Sequence, residues 1–259
     1  MSMADTPLAA LSDAALAARL AEEAGRLAVA LRESGEFSGK ALGDEGDRQA
    51  NQLLCSALAA ARPDDAILSE EERDSTARLD RSRVWIVDPV DGTREYGECR
   101  ADWAVHVALA IDGMAEVGAV ALPGLAGGTV LRSDMPRPLA PLTERQEQCP
   151  RFLVSRTRPA REALALCDAI GGELVAMGSA GAKAMAVVRG EAEIYLHSGG
   201  QYEWDSCAPV AVARAHGLHC SRIDGSPLVY NRADPYLPDL LICRPQFAGR
   251  VLDLVAGLG

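Results

Sequence analysis

A short apolar run that ends in two aspartates, VWIVDPVDGT at residues 84–93, constrains this chain more strongly than any other stretch. Residues 84–87 are β-branched and aromatic, the pattern of a strand that is covered on both faces. Pro89 disfavours the helical region for Asp88, so we expect the strand to end there and the chain to turn. Asp91 then returns beside Asp88. The stretch therefore places two carboxylates at the end of a buried strand.

Two carboxylates at this separation repel each other, which raises the pKa of one of them unless a cation lies between them. Oxygen ligands without a nearby histidine or cysteine favour magnesium or manganese over zinc. Gly92 lets the backbone approach a ligand closely, and Thr93 can begin a helix whose free N–H groups face an anion. The alternative is that Asp-Pro and Asp-Gly are ordinary turn dipeptides. Alone, the stretch leaves both a metal-and-phosphate site and a plain turn open.

The composition narrows the classes of partner. The chain has 259 residues and a formal net charge of -11, which argues against a nucleic-acid polymer because its phosphates would be repelled. Bound cations would still attract a small phosphorylated substrate. Charged residues interrupt the longest apolar stretches and no basic start precedes a hydrophobic run, so neither a membrane span nor a signal peptide is predicted. The seven cysteines never form a C-x-x-C pair, which favours reduced thiols in a cytoplasmic protein.

Hydrophobic periodicity predicts helices on one face of a largely antiparallel sheet in the first half of the chain. The predicted helices cover residues 11–32 and 47–62, and the glycine-rich segment between them, 35–46, is predicted to be a mobile loop. The predicted strands are residues 66–69, 84–87, 103–111, 117–122 and 127–132, with Asp112-Gly113 as a hairpin turn.

Residues 133–150 carry four prolines, so the boundary between two halves is expected there, giving units 1–140 and 141–259. The second half predicts an α/β arrangement, with strands at 152–155, 173–177 and 193–196 and helices at 159–170, 182–189 and 207–216. Lys183 lies in the first turn of one helix, where its charge and nearby backbone N–H groups can bind an anion. The alternative is a solvated helix residue. Asp205 is predicted to be the N-cap of the last helix.

Carboxylates at the ends of elements occur three times: in ILSEE at 67–71, in DPVDGT at 88–93 and in WD at 204–205. In this order and spacing the motifs closely resemble the inositol monophosphatase superfamily of magnesium-dependent, lithium-sensitive phosphatases. The resemblance covers most of the chain. It implies a mixed α+β and α/β fold, the layered α/β/α/β/α sandwich of the sugar phosphatases, with the site between the two halves.

The resemblance also implies a site for two or three Mg²⁺ ions, with Mn²⁺ as the alternative ion. The implied metal ligands are Glu70, Asp88, the carbonyl of Val90, Asp91 and Asp205. An in-line attack by metal-activated water, without a covalent intermediate, is the implied mechanism. Three of the histidines, His106, His216 and His219, lack ligand spacing and are predicted to be structural.

The implied catalytic residues are Asp47, Glu70 and Thr93, and Gly92 and Thr93 are expected to bind the phosphate oxygens. Asp44 stands where the family often has a threonine. A carboxylate can accept the proton of the attacking water but lacks the donor of a hydroxyl. Glu70 with Thr93 is then available to orient that water.

Residues 178–205 are similar to bisphosphate nucleotidases of the CysQ type, which remove the 3′-phosphate from 3′-phosphoadenosine 5′-phosphate, a by-product of sulfate assimilation. This similarity implies substrate contacts from Ser179, Lys183, His197 and Asp205, with a homodimer as the expected assembly. The alternatives within the superfamily are inositol-1-monophosphatase and fructose-1,6-bisphosphatase activity. A hypothesis from another functional class, motivated by Asp44, is a nucleotide- or metal-binding protein that has lost its catalytic activity.

Overall fold

The computed structural model describes residues 6–125 and 127–258. The α-helices are α1 (Asp13–Ser34), α2 (Gly39–Ala61), α3 (Thr93–Gly97), α4 (Glu144–Gln148), α5 (Arg161–Ile170), α6 (Ala180–Val188), α7 (Glu203–Ala215) and α8 (Pro245–Ala256). The strands are β1 (Ala66–Ser69), β2 (Arg83–Asp91), β3 (Ala104–Ile111), β4 (Met114–Leu122), β5 (Thr129–Arg132), β6 (Arg151–Ser155), β7 (Glu173–Met177), β8 (Ile194–Tyr202), β9 (His219–Ser221) and β10 (Tyr236–Cys243). Short 3-10 turns cover Leu8–Ala10 and Thr76–Asp80.

Two five-stranded sheets form the framework. The first has the order β1-β2-β3-β4-β5, in which β1 is parallel to β2 and the other neighbours are antiparallel. The second has the order β7-β6-β8-β10-β9, in which β6 is parallel to both of its neighbours and β10 is antiparallel to both of its own. The first half is therefore a largely antiparallel sheet, as predicted.

The helices form three layers around these sheets. Helices α1 and α2 cover the outer face of the first sheet, α6 and α7 lie between the sheets, and α5 and α8 cover the outer face of the second. The central core joins Ile86 and Val120 of the first sheet, Met185 and Val210 of the helices, and Leu240 of the second sheet. The α/β/α/β/α sandwich predicted from the resemblance is confirmed. Because both halves share this core, the division at residue 140 stays a prediction.

Local sequence signals explain the first helix and the hairpin. The Ser12 hydroxyl accepts a hydrogen bond from the Ala15 N–H at 3.3 Å, and Gly35 closes α1 in the left-handed region at φ 72°. Asp112 and Gly113 connect β3 to β4 with φ values of 50° and 80°, the conformation that a two-residue hairpin turn requires. Both predictions are confirmed.

The predicted loop over residues 35–46 is wrong, because α2 already begins at Gly39. The glycines allow close packing of this helix instead. A Cβ atom on Gly43 would lie 2.7 Å from Thr93 Cγ2, and one on Gly46 would lie 2.5 Å from Tyr96 Cε1. Close contact with α3 therefore outweighs the low helix propensity of glycine.

The seven cysteines are free thiols, as predicted. Among the described helices, none is long and apolar enough to cross a membrane.

Candidate metal and phosphate site

Asp88 and Asp91 lie on β2, which continues past the position where the sequence predicted its end. The β2–β3 ladder pairs Asp88 with His106, shifts its register, and resumes with Asp91 opposite Ala104. Pro89 lies inside this irregularity, where its missing N–H does not break a ladder hydrogen bond. The predicted turn is therefore a bulge, and it places both carboxylates at the same end of the sheet.

Asp205 completes a cluster with these two aspartates. Carboxylate oxygens of Asp88, Asp91 and Asp205 lie within 4.8 Å of one another. The predicted N-cap role of Asp205 is wrong, because α7 begins two residues earlier, at Glu203. Asp205 instead accepts the Tyr202 N–H at 2.6 Å, and this hydrogen bond fixes the carboxylate against the helix start.

Glu70 and Asp47 bring two further carboxyl groups to the cluster. Although Glu70 as a residue is exposed, protein shields its carboxyl group, and this loss of hydration, followed by the charges of Asp205 and Asp91, raises the pKa of Glu70 to about 7. Asp47 lies on α2, and its burial, followed by the negative charge of Glu71, raises its pKa to about 8. The charges of five carboxyl groups from four parts of the chain therefore act on one another, around the three aspartates that lie within 4.8 Å.

The cluster fits a hard divalent cation. Asp88 is 1% exposed, and its burial, followed by the charges of Glu70 and Asp91, raises its pKa well above the usual value. Asp88 Oδ1 and Asp47 Oδ1 are buried and have no hydrogen-bond partner in the described part of the chain. Unpaired buried carboxylates are costly, and a divalent cation with oxygen ligands compensates them. The donor set therefore suits magnesium or manganese.

The α2 carboxylate that lies beside Thr93 is Asp47 and not Asp44. Thr93 lies beside the Asp47 carboxyl and opposes the rise of its pKa, while the Thr93 hydroxyl donates to the Val90 carbonyl at 3.1 Å. Asp44 is exposed and forms an ion pair with Lys40 at 2.6 Å. The carboxylate at position 44 therefore points to solvent.

Asp91 is held from three sides. Its Oδ1 accepts the Ala180 N–H at 3.1 Å, and its Oδ2 accepts the Gly181 N–H at 2.5 Å. The Nε2 atom of His106 lies 3.2 Å from the same Oδ2, while Nδ1 lies 3.0 Å from the Trp204 carbonyl oxygen. Burial would raise the pKa of Asp91, but the charge and hydrogen bond of His106 and the Gly181 N–H lower it.

His106 is therefore more than a structural residue, and the sequence prediction missed this role. Its burial would lower its pKa, but the Asp91 carboxylate outweighs that effect and raises it. The Nδ1 atom is held by the Trp204 carbonyl, and Nε2 faces the Asp91 carboxylate in an electrostatic contact. The available signal was a histidine in the middle of an otherwise apolar strand, AVHVALAI.

The N–H groups in the first turn of α6 bind Asp91 and not a substrate anion. The N–H groups of Ala180 and Gly181 bind Asp91, and that of Ala182 binds the Ser179 hydroxyl at 2.9 Å. These donors are therefore not free for a second substrate anion, contrary to the expectation from sequence.

Lys183 is a buried cation and not a solvated helix residue. Its side chain is 3% exposed, its Nζ donates to the carbonyls of Gly178 and, at 2.7 Å, Ser179, and it lies 5.2 Å from the ring centre of Tyr195. Burial lowers its pKa to about 8, although Asp91 and other carboxylates act in the opposite direction. Of its three donors, one is left for the cleft.

A cleft of about 720 Å³ opens beside the carboxylates. Its lining includes every residue predicted to contact substrate, namely Gly92, Thr93, Ser179, Lys183, His197 and Asp205. A Cβ atom on Gly92 would lie 2.9 Å from the Ser179 Cβ, and Gly92 adopts φ 89°, so glycine is required there. The Nε2 atom of His197 lies 3.0 Å from the Gly200 carbonyl oxygen, which fixes its ring at the cleft wall.

Three aromatic residues that the sequence prediction missed also line this cleft. Tyr202 and Trp204 are stacked, with ring centres 4.9 Å apart, and Tyr236 meets Tyr202 edge-on at 6.0 Å. Tyr202 is 45% exposed and Tyr236 is 42% exposed. Exposed rings beside an acidic cluster offer a flat apolar surface to a substrate.

The raised carboxyl pKa values predict how the stability of the metal-free protein depends on pH. Between the unfolded value of 3.8 and the folded value of about 8, Asp47 keeps its proton in the folded chain and loses it in the unfolded chain. The contribution of this group to the free energy of unfolding is therefore largest below pH 4. It decreases between pH 4 and pH 8, by up to about 1.4 kcal/mol per pH unit for one carboxyl. In EDTA, we expect the Tm to fall by several degrees between pH 5.5 and pH 8.

Thermal unfolding with and without Mg²⁺ measures this effect. We expect Mg²⁺ to raise the Tm more at pH 8 than at pH 5.5, because binding must displace the retained protons. A Tm in EDTA that stays constant or rises over this range would contradict the proposed carboxyl cluster.

Comparison with known proteins agrees with this geometry. A family model described as "Inositol monophosphatase family" matches residues 6–251. The chain belongs to the inositol monophosphatase family. Membership in the inositol monophosphatase family confirms the resemblance inferred from the three motifs.

Named relatives and a solved structure place the chain within this family. The 3′-phosphoadenosine 5′-phosphate phosphatase of Mycobacterium leprae (strain TN) is 51% identical over 258 residues, covering 95% of this chain and 94% of the relative. A protein of the same name from Mycobacterium tuberculosis (strain CDC 1551 / Oshkosh) is 50% identical over 248 residues, covering 90% of each. The crystal structure of CysQ from Bacteroides thetaiotaomicron has a TM-score of 0.72 and 23% identity, covering 87% of this chain and 94% of that chain. This structure shows that the chain shares the fold of the inositol monophosphatase family.

Proposed function

We propose that the chain is a metal-dependent phosphomonoesterase that removes the 3′-phosphate of 3′-phosphoadenosine 5′-phosphate to give AMP. The observation that carries this proposal is a single cleft in which an acidic cluster lies beside exposed aromatic rings. The names of the two mycobacterial relatives support the same substrate. Since this substrate is a by-product of sulfate assimilation, the reaction would remove that by-product.

The proposed cofactor is Mg²⁺, in two or three copies, with Mn²⁺ as the alternative. The residues that would hold it are Glu70, Asp88, Asp91, Asp205 and the Val90 carbonyl. A bound divalent cation lowers the pKa of water and stabilises the negative charge on the phosphoryl and leaving oxygens. The protein must then supply orientation and a place for the released proton.

Asp47 and Thr93 are proposed to act as a hydrogen-bonded pair beside Glu70, the acceptor of that proton. The Thr93 hydroxyl carries one proton, which it donates to the Val90 carbonyl or to Asp47. When Asp47 is protonated, it can donate to Thr93 while Thr93 donates to Val90. When Asp47 is ionised, Thr93 can donate to Asp47 instead. Thr93 can therefore keep a hydrogen bond to Asp47 in either protonation state of Asp47, and Glu70 is proposed to accept the proton of the attacking water.

The phosphate is proposed to lie at the start of α3. Helix α3 begins at Thr93, so the N–H groups of its first turn lack partners within the helix. Gly92 leaves room for a phosphate oxygen beside Ser179 because it has no Cβ atom. The transferred phosphoryl group would thus lie between backbone donors and the carboxylate-bound cations.

The aromatic rim, formed by Tyr202, Trp204 and Tyr236, is proposed to bind the adenine ring. Stacking of a base on an aromatic side chain contributes about 1–3 kcal/mol by alanine substitution. Inositol and fructose phosphates offer no π-face to Tyr202 or Tyr236. The rim therefore supplies a physical reason for preferring a nucleotide over the alternative inositol and sugar phosphates.

Parallel kcat/KM measurements on 3′-phosphoadenosine 5′-phosphate, inositol 1-phosphate and fructose 1,6-bisphosphate test this assignment. Native protein should prefer the nucleotide, and Tyr236→Ala should lower kcat/KM for the nucleotide alone by about 5- to 150-fold. Tyr236→Phe, which keeps the ring, is the matched control. Lys183→Ala should lower kcat/KM more for the bisphosphate nucleotide than for inositol 1-phosphate, which has no second phosphate for the remaining ammonium donor.

Two outcomes would move the protein to an alternative activity. Equal losses for all three substrates in Tyr236→Ala would contradict base stacking. A native preference for inositol 1-phosphate would indicate an inositol monophosphatase, and a preference for fructose 1,6-bisphosphate would indicate the corresponding sugar phosphatase.

A cytoplasmic location and a homodimer are part of the proposal. The seven free thiols support the first.

A further inference from the structure

A second cavity, of about 370 Å³, is lined by arginines and lies apart from the carboxylate cleft. It is bounded by β5, by the segment 135–140 and by the C-terminal ends of α6 and α7. Its charged lining residues are Arg132, Arg137, Arg189 and Arg244, with His216 beside them. Among the described residues that line this cavity, none is an aspartate or a glutamate. Arg132 and Arg189 are paired with Asp134 and Glu191 just outside the cavity, so Arg137 and Arg244 carry its uncompensated positive charge.

Arg244 is the most informative of these residues. It is 4% exposed, and no ion pair is found for it within residues 6–125 and 127–258. One Nη atom donates to the Ala140 carbonyl at 2.5 Å, but Nε is buried without a hydrogen-bond partner. Burying a cation without a counterion costs free energy, and an anion bound beside Arg244 would remove that cost.

The position of Arg244 in the fold does not compensate this charge. Arg244 is the residue immediately before α8, at the N-terminal end of that helix. The helix dipole is positive at this end and disfavours a cation there. Neither an ion pair nor a helix terminus therefore explains why a guanidinium group is buried at this position.

Two other arginines leave donors free at the same cavity. Arg189 binds Glu191 through Nε and one Nη atom, but its Nη1 is buried without a hydrogen-bond partner in the described structure. Arg137 is exposed on the segment that borders the cavity. Arg132, by contrast, is neutralised by Asp134 at 2.7 Å.

We propose that this cavity binds a small, multiply charged oxyanion of the phosphate or sulfate class, free or as a compact ester. Guanidinium groups match the geometry of such oxyanions with parallel N–H donors. Arg244 is the buried anchor, Arg189 adds its free Nη1, and Arg137 approaches from the exposed side. A volume of about 370 Å³ accommodates the ion or a small ester of it.

The proposed site is distinct from the carboxylate cleft. Arg189 directly follows α6 and His216 directly follows α7, whereas the opposite ends of these helices hold Asp91 and Asp205. The helices are about 14 Å and 20 Å long at 1.5 Å per residue. An anion beside Arg244 therefore cannot contact the proposed metal ligands.

Thermal unfolding in EDTA tests the proposal, because the carboxylate cleft without metal repels anions. Sodium sulfate and sodium phosphate are titrated in separate arms, with sodium chloride holding the ionic strength constant. We expect both anions to raise the Tm of the native protein in a saturable manner. Arg244→Gln and Arg137→Gln should each increase the half-saturating concentration by at least about tenfold, the effect of losing one charge-assisted contact.

Two control variants separate binding at Arg244 from nonspecific stabilisation by salt and from binding in the carboxylate cleft. Arg250→Gln removes an exposed arginine from α8 and should respond like the native protein. Asp88→Asn should also keep the response, since it alters only the carboxylate cleft. If Arg244→Gln does not fold, the exposed Arg137→Gln decides. Equal responses in the native protein and Arg137→Gln, or a response that disappears in Asp88→Asn, would overturn the proposal.

Discussion

Replacing Asp88 with asparagine is expected to lower phosphate release from a phosphomonoester by at least about 10³-fold at saturating Mg²⁺. Asp88 is the most buried carboxylate of the cluster and lies next to Glu70, Asp91 and Asp205. An amide keeps the shape of the side chain but removes the charge that holds a cation. Measuring inorganic phosphate against Mg²⁺ concentration shows whether added metal can restore activity.

The same variant should be at least as stable as the native protein when metal is absent. Burial and the neighbouring negative charges raise the pKa of Asp88, so removing its ionisation relieves repulsion in the folded state. Thermal unfolding in EDTA at pH 8 measures this. Asp112→Asn, at the hairpin turn far from the cluster, is the control and should change neither property. Near-normal turnover of Asp88→Asn at saturating Mg²⁺ would show that the metal assignment is wrong.

Replacing Gly181 with alanine is expected to lower kcat/KM by about 10²-fold or more and to lower the Tm by several degrees. A Cβ atom at this position would lie 2.0 Å from His106 Nε2. His106 is fully buried and contacts both Asp91 and the Trp204 carbonyl, so it cannot move without moving the carboxylate. The substitution thus acts on Asp91 through its histidine.

Gly249→Ala is the matched control for this substitution. Gly249 also lies inside a helix, α8, but its Cβ atom would meet no atom within 4 Å. This change should be neutral or stabilising by up to about 1 kcal/mol, because alanine is the better helix former. Native activity in Gly181→Ala would instead mean that the His106–Asp91 contact is dispensable.

The acidic motifs could be predicted because their signals are local. A β-branched run followed by Asp-Pro, or a short apolar strand followed by glutamates, marks the end of a buried strand within a few residues. The parallel pairing of β1 with β2 then brings Glu70 next to Asp88, since neighbouring parallel strands end at the same edge of a sheet. The family resemblance identified the same residues.

Features that depend on distant packing could not be predicted in this way. The glycines of α2 were interpreted as loop residues, since their packing partners Thr93 and Tyr96 lie about fifty positions further along the chain. His106 gained its role from the β2–β3 register, which pairs it with Asp88. Arg244 is distinguished only by lacking a counterion, and a sequence does not record the absence of a contact.

A ³¹P NMR measurement tests the proposed metal-dependent removal of the 3′-phosphate: 3′-phosphoadenosine 5′-phosphate is incubated with metal-stripped protein before and after Mg²⁺ is added. We expect no reaction in EDTA and, with Mg²⁺, equal amounts of inorganic phosphate and AMP, in which the 5′-phosphate signal persists and the 3′-phosphate signal disappears. Release that proceeds equally well in EDTA, or loss of the 5′-phosphate signal in place of the 3′-phosphate signal, would contradict it.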